Sequence, residues 1–230
     1  MRLAACGASV RGPAHIQDGS PNQDALGIGG CNGGWYIAVA DGLGSRPLSH
    51  VGSRKAVQLF AGLARLQRSL APAEVGQLLS ARWVAQFGSE YQRFETTCLW
   101  ARVEAHGHGF AGQVGDGLML CRSGGVFQVV TPAREGFGNQ TYTLAQANST
   151  TNTSTQFELS RPGDGILLLT DGISDDLIPE QLEPFFDAIY QRQRRSSRRR
   201  MRRWLTDELN GWSTPLHGDD KTIAGIFRLD

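Results

Sequence analysis

The sequence predicts an α+β fold in which helices and antiparallel strands occupy separate stretches of the chain. Three observations carry this. Apolar runs of strand length recur between glycine-rich breaks, with 29 glycines in 230 residues. Two adjacent tracts show helical spacing. The breaks between successive apolar runs over 94–132 are only a few residues long, so each is expected to join antiparallel neighbours.

Taken in order, "WYIAVADG" (35–42) reads as a buried strand ending in a turn. Over 51–70, Val57, Phe60, Leu63 and Ala64 recur at helical spacing. Pro72 then opens a second helix, with Val75, Leu79, Trp83 and Phe87 four apart on one face. From Phe94 to Pro132 the texture is of strands: "FETTCLWARVEA", "FAGQVGDGLMLCR" and "VFQVVTP", broken by "HGHG" and "SGG". "TYTLA", "TQFELS", "GILLLTDG" and "KTIAGIFRL" are read as further strands, with an exposed polar loop over 146–155. A helical region over 179–210 carries a run of arginines. No break marks a domain boundary and no repeat is visible, so 1–230 is expected to be a single domain.

Composition is that of an ordinary globular protein, 40% hydrophobic and 20% charged. The net charge of +1 is unevenly placed, because residues 192–203 hold eight arginines and no acid. Without them 15 basic residues face 22 acidic ones, a body at −7. Such a body suits cations and is a poor general surface for nucleic acid. No apolar stretch reaches membrane-spanning length. "MRLAACGA" has the outline of a lipobox at Leu3–Cys6 but lacks an apolar region before it, so Cys6 is read as strand interior. The four cysteines are far apart with no CxxC pair, which favours reduced core thiols and the cytoplasm.

Five aspartates stand at the ends of apolar runs. Asp41 ends "YIAVA", Asp171 ends "ILLLT", Asp116 lies within "GQVGDGLML", Asp219 precedes the final strand, and Asp24 leads into "ALGIG". Glycine follows Asp41, Asp116 and Asp171 directly. A single Asp-Gly after a strand is a common turn. Several carboxylates converging on one small volume must instead protonate or bind cations. An oxygen-only ligand set suits Mg²⁺ or Mn²⁺, not zinc. His106 and His108 fall in a hairpin break and are read as solvated.

The ordered series "NQDA", "VADGLGS", "ETTCL", "GQVGDGLML", "LLLTDGISD" and "GDDKTIAGI" resembles the PPM/PP2C family of metal-dependent protein Ser/Thr phosphatases. The resemblance spans about residues 7–229, and the opening "GPAHIQDGSPNQDA" is similar to its compact bacterial subgroup. It implies a four-layer αββα sandwich, two antiparallel sheets flanked by helices, with metal at one edge. It also implies direct hydrolysis of phosphoserine and phosphothreonine in proteins by water activated at a binuclear Mn²⁺ or Mg²⁺ centre. Matched position by position, Asp41 corresponds to the aspartate that bridges two ions, the Gly42 carbonyl to a ligand oxygen, Asp171 and Asp219 to ligands of one ion, and Asp24 to an acid that holds metal-bound water. Asp116 and Asp175 match a third, weaker site sharing Asp171. Thr97 matches a supporting residue, and Asp176 is read as surface.

The chain departs from the family at two places. Gly19 stands where the wider family has a phosphate-gripping arginine, leaving Arg11 or His15 as candidates, with the subgroup favouring His15. Leu43 stands where some members carry a histidine. A phosphoprotein substrate of a bacterial-type Ser/Thr kinase is the partner the resemblance implies. The alternative reading is a catalytically weak or inactive phosphoprotein-binding regulatory module. The segment Arg192–Arg203 is read as a solvated surface or a dock for an acidic partner. It carries no interleaved aromatics for stacking bases, which disfavours nucleic acid; no membrane association is expected.

Overall fold

The computed structural model describes residues 1–66, 71–132, 141–147, 152–212 and 218–230. The elements run β1 (Leu3–Val10), α1 (Pro13–Gln17), β2 (Ala25–Cys31), β3 (Gly34–Ala40), α2 (Ser49–Leu66), α3 (Pro72–Phe87), β4 (Cys98–Val103) and β5 (His108–Val114). There follow β6 (Leu118–Ser123), β7 (Val126–Val129), β8 (Thr153–Glu158), β9 (Gly165–Leu169), α4 (Asp171–Ser174), α5 (Leu182–Arg194), α6 (Arg198–Gly211) and β10 (Lys221–Arg228). Among the described residues the strands form two five-stranded antiparallel sheets, ordered β1-β10-β9-β6-β7 and β2-β3-β4-β5-β8.

Strand alternation assigns each apolar side chain to a layer. Ile37 and Val39 of β3 face inward, against Ile166 and Leu168 of β9 and Ala224 and Ile226 of β10. Tyr36, Ala38 and Ala40 face outward, onto Phe60 of α2 and Trp83 of α3. On the other sheet Leu167 and Leu169 face outward, onto Phe186 of α5 and Met201 and Leu205 of α6. Three apolar interfaces therefore separate four layers, in the order helices, sheet, sheet, helices. Both faces of each central strand are buried, which is why these strands read as unbroken apolar runs. Pro72 sits in the first turn of α3, and Gly88 closes it at φ +56°. The buried Trp83 indole donates to the Gly52 carbonyl at 3.0 Å and pins α3 to α2.

The structure corrects four expectations. The break between β5 and β6 does not join neighbours: β5 lies in one sheet and β6 in the other. Gly115 makes this possible, with φ +110° and no room beside the Thr97 side chain for a Cβ. The Gln113 amide holds the corner by donating to the Gly115 and Gly117 carbonyls at 3.0 and 2.6 Å. "TYTLA" is not a strand. Thr143 and Gln146 close a capping box around a 3₁₀ turn at Leu144–Gln146, burying Leu144. The polar stretch over 146–155 ends in strand, because Thr153–Thr155 pair with β5, while 148–151 lie outside the described residues. The helical region over 179–210 is two helices, because Ser197 caps α6 by accepting from the Arg200 amide at 3.4 Å. The two-helix tract otherwise follows its spacing, with 67–70 outside the described residues. Cys6 lies inside β1, and all four cysteines are buried and free.

Gly115→Ala forces a side chain into left-handed backbone, a strain of roughly 1–3 kcal/mol. Thermal unfolding should show a Tm lower by about 2–4 °C for each kcal/mol. An unchanged Tm would mean that the sheet-to-sheet corner relaxes freely.

Candidate metal centre

Strand register brings the aspartates to one end of the sandwich. Ala25 pairs with Ala40, so Asp24 and Asp41 flank the same end of the β2–β3 pair. Ile223 pairs with Leu169, so Asp171 and the residues before β10 flank the corresponding end of the other sheet. The Gly115–Gly117 corner crosses between the sheets and carries Asp116. Carboxylate oxygens of Asp41, Asp116 and Asp171 all lie within 4.8 Å of one another. A hollow of about 230 Å³ covers them, lined also by His15, Gly42 and Asp219.

Each acid is held by its own neighbours. The Asp41 amide donates to Thr97 Oγ1 at 3.1 Å, and its carbonyl accepts from the Thr97 amide at 2.8 Å and Thr96 Oγ1 at 2.7 Å. Thr97 thus backs Asp41 through hydrogen bonds. Gly42 packs where a Cβ would lie 2.7 Å from the Ser49 backbone. Asp116 Oδ2 accepts from Thr141 Oγ1 at 2.5 Å. Asp171 opens α4, whose single turn is closed by the Asp175 amide donating to the Asp171 carbonyl at 3.0 Å. Asp24 is 4% exposed and accepts from Thr170 Oγ1 at 2.8 Å, behind the hollow and not on its wall. Asp219 is exposed, and its Oδ1 accepts from the Asp220 amide at 2.7 Å.

The remaining candidates divide. His15 lines the hollow; Arg11 is exposed, donates to the Ser20 carbonyl at 3.2 Å and is not part of the lining. Gly19 has open space where a side chain would begin. Asp175 is exposed and not on the wall of the hollow, though its charge reaches Asp171. Asp176 is half-buried and accepts from the Trp212 indole at 3.1 Å, so it ties down the end of α6 and is not simply surface. His106 and His108 sit at an exposed hairpin, ring to ring at 4.9 Å, as expected.

Sequence reasoning missed Asp220. It is 1% exposed and its carboxylate accepts from the amides of Gly12 at 2.7 Å and Gln23 at 2.5 Å. His15 Nδ1 lies 2.9 Å from Asp220 Oδ2, but off the line of a hydrogen bond. Asp220 therefore clasps the 12–23 segment to β10. The doubled acid in "GDDK" was the available signal: one member faces the hollow and the other faces the chain.

Electrostatically the cluster is uncompensated. Burial, then the neighbouring charges of Asp116, Asp219 and Asp175, push the Asp171 carboxyl up to about 6. Burial pushes Asp24 up to about 8, with Asp220 and Asp171 adding to it. Asp41 is raised well above its ordinary value by burial and by the charges of Asp24, Asp171, Asp219 and Asp116. Acids in this condition take up protons or a cation. Oxygen donors this close together, without a lysine or arginine on the wall among the described residues, fit a hard divalent ion.

A two-sheet sandwich with an all-oxygen acidic centre at one end defines a class of chain built to present hard cations. A family model described as protein phosphatase 2C matches residues 11–210, and the chain belongs to that family. Solved structures share the fold. The serine/threonine phosphatase PstP/Ppp of Mycobacterium tuberculosis has a TM-score of 0.68 at 17% identity, covering 100% of each chain. The PstP catalytic domain in complex with two manganese ions has a TM-score of 0.67 at 19% identity, covering 99% of each chain. RsbX in complex with magnesium has a TM-score of 0.64 at 14% identity, covering 98% of this chain and 94% of that one. No curated protein sequence matches the chain significantly.

Raised carboxyl values fix a pH dependence. The folded chain holds protons on Asp171 and Asp24 that the unfolded chain releases near its ordinary value of 3.8. The associated stability is complete below about pH 4 and is lost as pH rises through about 6 and about 8. In EDTA, Tm should fall between pH 5 and pH 9, and Mn²⁺ should restore it most at the upper end. Asp24→Asn keeps an acceptor for Thr170 and should raise the EDTA-treated Tm at pH 8.5. A Tm rising with pH in EDTA would contradict the uncompensated cluster.

Proposed function

We propose that the chain hydrolyses phosphoserine and phosphothreonine in proteins at a centre of Mn²⁺ or Mg²⁺ ions. The observation that carries this reading is the approach of Asp41, Asp116 and Asp171, all half-buried, within 4.8 Å of one another in one hollow. Membership of the protein phosphatase 2C family and the manganese- and magnesium-bound relatives support it. Asp41, the Gly42 carbonyl, Asp171 and Asp219 would hold two ions, with Asp24 behind them. Asp116 and Asp175 would serve a third alongside Asp171. Bound ions of this type act as Lewis acids toward phosphoryl oxygens and supply a nucleophile near neutral pH.

The chain's own residues set the geometry. Thr96 and Thr97 fix the Asp41 backbone, so the carboxylate is presented without reorganisation. Asp24 is withdrawn behind Thr170 and can hold or accept a proton at a fixed oxygen. His15 is turned by Nδ1 toward Asp220, which leaves Nε2 to meet a phosphoryl oxygen entering the hollow. We place this activity in the cytoplasm, on proteins phosphorylated by a bacterial-type Ser/Thr kinase, with 1–230 acting as one phosphatase domain. No helix among the described residues is long and apolar enough to cross a membrane.

One observation favours the second reading, a phosphoprotein-binding module with weak turnover. No arginine or lysine lines the hollow among the described residues, and the Gly19 position is open. A phosphothreonine peptide assayed with Mn²⁺, Mg²⁺ and EDTA separates the two. Metal-dependent turnover reduced roughly 100-fold or more in Asp171→Asn supports the phosphatase. Absent turnover with Mn²⁺ binding intact by calorimetry selects the module. In an active enzyme, His15→Ala should lower kcat/KM for the phosphothreonine peptide by about tenfold, because it removes the ring nitrogen that faces the hollow. An unchanged kcat/KM would reduce His15 to a packing role.

A further inference from the structure

Two hollows larger than the one over the carboxylates, of about 390 and 570 Å³, lie beside β1. They share Ala5 and Arg198 and are successive stretches of one groove. β1 is the edge strand of its sheet and β2 the edge strand of the other, so the groove runs along one open side of the sandwich. Leu26 and Ile28 of β2, with Trp35 of β3, give it an apolar floor. Its wall is basic: Arg194 and Arg195 at the end of α5, then Arg198, Arg199 and Arg202 on α6.

Those five guanidinium groups form no ion pair with an acid among the described residues; the ion pair that α6 does make is Arg203 with Asp207, at 3.8 Å. The Arg198 guanidinium lies over the Trp35 ring, 5.4 Å from its centroid. A concentration of unneutralised positive charge on a body otherwise at −7 marks this face out as the attractive one for an anionic partner. Two features specify more than charge. Gln193 is 4% exposed, lines the groove, and its Oε1 has no hydrogen-bond partner. Outside its ladder with β10, the β1 backbone makes one hydrogen bond among the described residues, from the Trp35 indole to the Leu3 carbonyl at 3.3 Å. A buried free acceptor and an edge strand whose outward backbone groups are unpaired among the described residues, though Ala5, Cys6 and Ala8 are buried beneath the arginines, call for an occupant that brings its own N–H and C=O groups.

We propose that this groove docks an extended, acidic segment of a partner protein, added as a strand along β1. Alternate side chains of such a strand point to opposite sides. One set would meet the α6 arginines and the other the Leu26–Ile28 floor, so the preferred segment alternates acidic and apolar residues. Among the described residues the floor offers a single aromatic ring, already covered by Arg198, which is a poor stacking platform for bases. None of these residues belongs to the carboxylate centre, so the proposal stands apart from the assigned activity.

Fluorescence anisotropy with the full chain tests it, using a fluorescein-labelled decapeptide of alternating glutamate and valine. The controls are the same composition in two blocks, the alternating peptide N-methylated at every second amide, and a ten-nucleotide oligouridylate. The alternating peptide should bind with an affinity that falls with salt. Both peptide controls and the Arg198→Glu/Arg202→Glu chain should lose roughly tenfold or more. Arg198 sits in the first turn of α6, where an acid is favourable, so that variant should keep its far-UV circular dichroism. Arg198→Gln/Arg202→Gln should lose an intermediate amount. Equal binding of alternating and block peptides, or unchanged affinity in the charge-reversed chain, would overturn the proposal. So would tighter binding of the oligouridylate with the same arginine dependence.

Discussion

Like charges that cannot separate are the constraint on which this structure turns. Asp41 and Asp171 are presented by strands buried on both faces, and Asp116 by a corner that bridges the sheets. Their positions are set by the core, so mutual repulsion is not relieved by moving apart. It is relieved by protons or by a cation, and burial first, then that repulsion, raises Asp24, Asp41 and Asp171. The threonines at 96, 97 and 170 satisfy backbone groups and one carboxylate oxygen without adding positive charge. Removing the cost with a lysine would also remove the affinity for a metal. Stability without metal is thereby traded for a site organised before its ligand arrives.

Much of this was legible in the residues, and the failures have physical reasons. Apolar runs located the strands, and Asp-Gly pairs marked their ends. The two helices after β3 followed from spacing alone, since Val75, Leu79 and Trp83 share a buried face. Strand partnership was not legible. "GDG" is as short as a hairpin turn, and only the left-handed backbone at Gly115 distinguishes a crossing from a reversal. "TYTLA" has the composition of a strand, but Thr143 and Gln146 satisfy each other locally and close a turn instead. In the arginine tract, charge obscured the capping serine that divides one helical region into two. Asp220 escaped because its partners are the backbone amides of residues 12 and 23, which leave no trace in composition.

The two signs of charge occupy different places for different ends. Acids crowd one end of the sandwich, where the sheets' interior stops. Arginines line one side, where both sheets end in an edge strand. A long edge strand invites pairing with other chains, and flanking it with like charges restricts which chains are admitted. The same row of arginines that would attract an acidic strand repels a second copy of itself.

The placement of β10 bears on how the protein is made. Residues 221–228 insert between β1 and β9, at the heart of one sheet, and Asp220 immediately before them clasps Gly12 and Gln23. During synthesis β1 emerges more than two hundred residues before its neighbour. Pairings of such high sequence separation form late and slowly. A nascent or truncated chain ending before Lys221 has the β2–β5 half of the sandwich available but neither a closed second sheet nor an anchored 12–23 segment. The sheet that presents Asp171 is therefore closed, and the 12–23 segment anchored, only once β10 has been made.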